Sequence, residues 1–365
     1  MIEKNFNFET VSDWFYESGK RIYSLNYQIF VIILVSVQIL KSGIKVPYSE
    51  YVSSQISNFP IPVEFHGGLS LLMPGLAKIL GIETRIEYVI FSLVIGLACV
   101  YGIYLFMANY LKLGVIPLLF LIFSPLSASM LSTFSLHDPI FILGSVFAAN
   151  FRNNRVSVLG AILMSLSHPE ASVVSLFLAL ILTSTSRFIN RRNNILFLFL
   201  VSLLIFATLR FWAMFNRVEI SRFEVLPDYF KAATLNYLSN LSLEISILLW
   251  PLGILFFIAI FTSNTKDRFL FLLILFALFM VPFFGLDQTR DVVICGAVSL
   301  LIMSFKFLPI LETFPIIQKY KYESTIIILI VLVIAPQVLV GYTGIPIPAY
   351  SQLVSIFYPE INVGW

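Results

Sequence analysis

The stretch YVIFSLVIGLACVYGIYLFMANYLKLGVIPLLFLIFSPLSASML, residues 88–131, decides the fold class. It carries one charged residue, Lys112, with a long apolar run on either side. A hydrocarbon core of roughly 30 Å needs about 20 apolar residues in helical form, so the stretch reads as two membrane spans meeting at Lys112. Similar runs recur along the chain. Hydrophobic residues make up 59% of its 365 positions and charged residues 12%, against about a quarter charged in a soluble domain. The expected fold is all-α: one polytopic transmembrane bundle of about eleven helices covering 1–365. Spans are predicted near 27–40, 88–107, 113–131, 139–151, 156–166, 171–182, 195–215, 241–261, 269–284, 292–305 and 325–340.

Around these spans, 1–25 reads as an interfacial segment on the cytoplasmic side, in which Phe8, Val11, Trp14 and Phe15 can share an apolar face beside Lys20 and Arg21. Residues 41–87 form the first outer loop and 216–240 a second, charged and aromatic. Cys99 and Cys295 both fall within predicted spans and read as packing residues. No basic cluster points to nucleic acid. With the N-terminus inside, fourteen of the 23 basic residues fall on the cytoplasmic side, which predicts N-inside and C-outside.

In that orientation the unusual polar groups gather on the outer side. They are Glu50, Glu64 and His66 in the first loop, His137 and Asp138 in SLHDP, His168 and Glu170 in SHPE, and Asp287, Arg290 and Asp291 in LDQTRD. Fourteen residues separate Asp138 from Arg152 and thirteen separate His168 from Arg155, or about 21 and 20 Å of helix. If both arginines mark the inner surface, Asp138 and His168 sit at similar depth, below the outer surface. Ionisable groups at such a depth are candidates for function. The same residues also suit helix starts, because Ser135 with Asp138 and Ser167 with Glu170 have capping-box spacing and a proline sits in each first turn. Helix N-termini converging there would favour an anion such as phosphate, and Arg290 would add a fork-shaped donor.

SEY at 49–51, EFHGGLSLLMPGLAKILG at 64–81 and SLSHPEASVVSLFLAL at 165–180, with DQTR at 287–290, resemble elements of the GT-C superfamily of membrane glycosyltransferases, of the EpsG and Wzy polysaccharide polymerase type. The paired acidic residues that many GT-C enzymes carry after the first span are represented by Glu50 alone. The resemblance implies sugar transfer from a polyprenyl-phosphate or polyprenyl-pyrophosphate donor on the outer face of a bacterial cytoplasmic membrane, during cell-surface polysaccharide assembly. It implies lipid-linked saccharide, membrane lipid and other assembly proteins as partners. Glu50, or failing that Asp138, is the candidate base. His66, His137, His168, Glu170, Asp287 and Arg290 are the candidate substrate contacts. No cofactor is expected, and a divalent cation on Asp138 or Asp287 stays open. The alternative from another class is a multi-pass transporter or flippase of lipid-linked glycans.

Overall fold

The computed structural model describes residues 8–44, 56–61, 69–132, 137–150, 153–218, 251–281 and 288–335, with the single positions 231 and 234. These residues are mostly helical, joined by turns and short irregular links, and no strand occurs among them. In chain order the helices are α1 (Phe8–Ser24), α2 (Tyr27–Ser42), α3 (Leu72–Ile79), α4 (Arg85–Asn109), α5 (Val115–Ile122), α6 (Pro125–Ser132), α7 (Asp138–Ala149) and α8 (Asn154–Ser167). They continue as α9 (Pro169–Leu182), α10 (Arg192–Phe215, preceded by one 3-10 turn at Ile189–Arg191), α11 (Gly253–Phe261), α12 (Thr265–Met280), α13 (Gln288–Leu311), α14 (Pro315–Lys319) and α15 (Lys321–Ile334).

Helix α13 is the centre of the bundle. It packs against α5, α6, α7, α9, α11 and α12, and 72% of its apolar window is buried. Its buried face, from Val292 through Ala297, Leu301 and Met303 to Phe307, belongs to the main core. By contrast, only 22% of the corresponding window of 189–215 is buried. That helix turns Phe197, Leu200, Leu204, Phe211 and Phe215 outward. Apolar side chains displayed along a whole helix are stable facing lipid and costly facing water.

Three helical stretches, at 85–109, 189–215 and 290–311, are long and apolar enough to cross a membrane, or up to four if the bent pair α1 and α2 counts as one span. The other expected spans that fall in the described residues lie on helices of 8 to 16 residues. The expected span at 113–131 is two helices. Ser124 separates them: its Oγ donates to the Leu121 carbonyl at 2.7 Å and accepts from Leu126 N–H at 3.2 Å. Pro125 then opens α6, where its missing N–H leaves no hydrogen bond unmade. Helix α3 was not foreseen inside the expected outer loop 41–87. Within the segment expected at the interface, Phe8–Ser24 forms a helix: α1 turns 115° from α2 and packs against α15.

Close approach is built on small residues. A Cβ on Gly160 would lie 2.4 Å from the Ala148 nitrogen and 2.5 Å from the Gly144 carbonyl oxygen, so α7 and α8 touch backbone to backbone there. Buried hydroxyls join the next layer. Ser165 of α8, Ser172 of α9 and Ser202 of α10 hydrogen-bond one another at 2.6–3.2 Å.

A candidate anion site at one end of the bundle

The site grows from two interruptions of helix. At the first, His137 precedes α7, its carbonyl accepting from Phe141 N–H at 2.9 Å, and Asp138 and Pro139 form the first turn. At the second, His168 alone joins α8 to α9. Its N–H donates to the Met164 carbonyl at 2.7 Å, and its carbonyl accepts from Ser172 N–H at 2.9 Å. Pro169 explains why the chain cannot run straight through. It disfavours helical backbone at the residue before it, and His168 sits at φ −150°, ψ 78°.

These two breaks meet the first turn of α13. Arg290 donates from Nε to Asp138 Oδ2 at 2.5 Å and from Nη2 to Asp138 Oδ1 at 2.8 Å, a two-pronged ion pair. Arg290 Nη2 also lies 3.4 Å from His168 Nε2. The His168 ring in turn stands edge-on to Phe141, with centroids 6.1 Å apart. The Asp138 side chain is wholly buried, while the Arg290 side chain keeps 14% exposure. Arg290 is therefore the member of the pair within reach of a ligand. Beside them His137 is buried, and its Nδ1 has no hydrogen-bond partner. A buried nitrogen without a partner is uncommon and marks a place where a polar ligand atom would be stabilised.

Of the expected site residues, Asp138, His168 and Arg290 come together and His137 adjoins them. Glu170 pairs with Arg210 of α10 at 2.9 Å, both side chains partly exposed. Arg210 was missed by sequence reasoning. Its signal was available, as an arginine set within the otherwise apolar run FLVSLLIFATLRFWAMF. Glu50, Glu64, His66 and Asp287 lie outside the described residues, as do Ser135, Arg152 and most of 216–240.

The capping-box reading at SHPE is corrected. Ser167 Oγ is buried without a partner, and His168, the residue that caps α9, makes no side-chain cap bond. Nor does His137 cap α7 with its side chain. Asp138 and His168, one from each break, face Arg290 of α13 instead. A cation at Asp138 would have to displace Arg290 from both carboxylate oxygens. No group of three His, Cys, Asp or Glu that could hold a metal occurs among the described residues.

Basic residues collect at the opposite end of α13. Arg187 lies over the Phe307 ring at 5.6 Å and donates to the Thr262 carbonyl, and Arg268 donates to the Ser263 carbonyl at 2.8 Å. The described structure therefore places the Asp138, Arg290 and His168 cluster at one end of α13, and Arg187 and Arg268 with the buried Asp267 at the other. No family model, curated protein or solved structure matches the chain.

Proposed function

We propose that this chain is a membrane glycosyltransferase or polymerase that takes sugar units from a polyprenyl-phosphate or polyprenyl-pyrophosphate carrier at the outer face of a bacterial cytoplasmic membrane. The observation that carries the reading is the Asp138–Arg290 pair with His168. It sets a fixed guanidinium at the end of an apolar bundle, where a lipid-borne phosphate would arrive from the membrane. In sugar transfer, an acceptor hydroxyl attacks the anomeric carbon, a carboxylate takes its proton, and the bond to the phosphate oxygen breaks. Positive donors fixed in advance stabilise the charge that grows on that oxygen. Arg290 fills this role, held in orientation by Asp138, with His137 and His168 as further polar contacts. A carboxylate bonded at both oxygens to a guanidinium is a poor proton acceptor. Asp138 is therefore a positioning residue, and Glu50 is the base.

The break at His168, with polar groups at a helix interruption, is the one feature that suits a carrier of lipid-linked glycans equally well. One assay separates the two. Purified protein in vesicles is given a polyprenyl-pyrophosphate-linked oligosaccharide, and products are read by mass spectrometry. Lengthened glycan, lost or strongly reduced in Glu50→Gln, Asp138→Asn and Arg290→Lys, is the expected result. Full transfer by all three variants overturns the site, and movement of donor across the bilayer without any new glycosidic bond favours the carrier.

A further inference from the structure

A cavity of mixed apolar and charged lining lies at the far end of α13 from Arg290. It measures about 440 Å³, and Tyr23, Tyr27, Gly114, Glu312, Gln318 and Lys321 are among its lining residues. That volume falls within the range of about 300–1,000 Å³ of small-molecule sites. The floor is built by charge and close packing. Glu312 Oε1 accepts from Ile116 N–H at 3.2 Å, at the N-terminus of α5. Gly114 lets the carboxylate sit close to the backbone: a Cβ there would lie 2.2 Å from both Glu312 oxygens and would push the side chain aside. The walls are held by Tyr27, whose hydroxyl donates to the Leu113 carbonyl, and by Tyr23, whose hydroxyl bonds Thr325 Oγ1 at 3.3 Å.

The lining combines one carboxylate with one ammonium. A purely anionic ligand would meet Glu312, and a purely cationic one would meet Lys321. A ligand carrying both charges satisfies each. A quaternary ammonium would seek an aromatic face, but Lys321 Nζ already covers the Tyr23 ring at 4.1 Å. A primary ammonium instead donates N–H groups to a carboxylate, and Glu312 offers one. Position points the same way. The cavity opens where α1 turns 115° from α2, and an amphipathic helix turned in this way runs along a bilayer at headgroup level.

We infer that this cavity binds a phosphoethanolamine headgroup, the phosphate on Lys321 and Gln318 and the ammonium on Glu312. The inference uses the membrane setting and is independent of glycosyl transfer.

The test is native mass spectrometry of the full chain, released from nanodiscs that hold equal parts of phosphatidylethanolamine, phosphatidylcholine and phosphatidylglycerol. Wild-type protein should retain phosphatidylethanolamine about tenfold over the other two, as one charged hydrogen bond implies. Glu312→Gln keeps an acceptor for Ile116 while removing the charge, and Lys321→Met alters an exposed side chain. Each should lower that retention about tenfold. Competition by soluble glycerophosphoethanolamine would show that the headgroup suffices; its failure beside retained lipid would show that the bilayer lipid is the occupant. Equal retention of all three lipids, or unchanged retention in both variants, overturns the inference.

Discussion

Asp138 and Arg290 stand 152 positions apart in the chain yet form a two-pronged, part-buried ion pair. Asp291 is adjacent to Arg290, but neighbouring residues on a helix do not face each other. Sequence reasoning could therefore see that Asp138, His168 and Arg290 belong to one side. Counting residues from the inner arginines gave the common depth of the first two. It could not see which carboxylate Arg290 takes, because that choice is made by the packing of α7 against α13. Glu170 was singled out, while its partner Arg210 escaped notice because the apolar run around it was read only as a span.

The pair also separates structure from function. Removing one member of a buried pair strands the other charge, at a cost of about 3–5 kcal/mol, whereas replacing both with apolar side chains is often neutral or stabilising. Arg290→Met should therefore lower stability in detergent by about 3 kcal/mol or more. The double variant Asp138→Leu with Arg290→Met should recover most of that loss, read by thermal unfolding. It should not recover glycan transfer. Recovery of both would reduce the pair to a structural device.

At the scale of helices, apolar runs and prolines made most elements legible. The spans expected at 27–40, 88–107 and 195–215 match α2, α4 and α10 within a few residues. The division of 113–131 was missed because its sequence stays apolar through Phe123 and only FSP marks the turn. Helix α3 was missed because LMPGLAKI is shorter than a span and lay inside a presumed loop. The contact between α7 and α8 carries its own prediction. Gly160→Ala inserts a Cβ where the Ala148 nitrogen and Gly144 oxygen leave no room. Overpacking of this kind costs about 1–3 kcal/mol, so its melting temperature should fall. Gly102, in α4, has open space at that position. Gly102→Ala should be neutral or stabilising by up to about 1 kcal/mol, from helix propensity. Equal melting temperatures for the two variants would mean that the glycine contact does not limit packing.

For the whole molecule, composition already announced an apolar bundle, and the described structure adds its polarity of ends and its outward apolar face. Leu204 lies on that face of α10, 69% exposed. If the face meets lipid, Leu204→Arg should cost about 3 kcal/mol of insertion and lower the fraction recovered in membranes after alkaline extraction. Undiminished recovery would mean that the face is covered by protein or water. On the two proposals made above, the ends of α13 would have distinct tasks: phosphate recognition at Arg290 and headgroup binding beside Glu312. The measurement that bears most directly on the enzyme reading is single-turnover transfer from a polyprenyl-pyrophosphate-linked oligosaccharide, comparing wild type with Arg290→Lys in the same vesicles. Lysine keeps the charge but not the fork, so the account predicts a folded protein whose transfer rate falls about a hundredfold or more. Wild-type transfer by folded Arg290→Lys would contradict it.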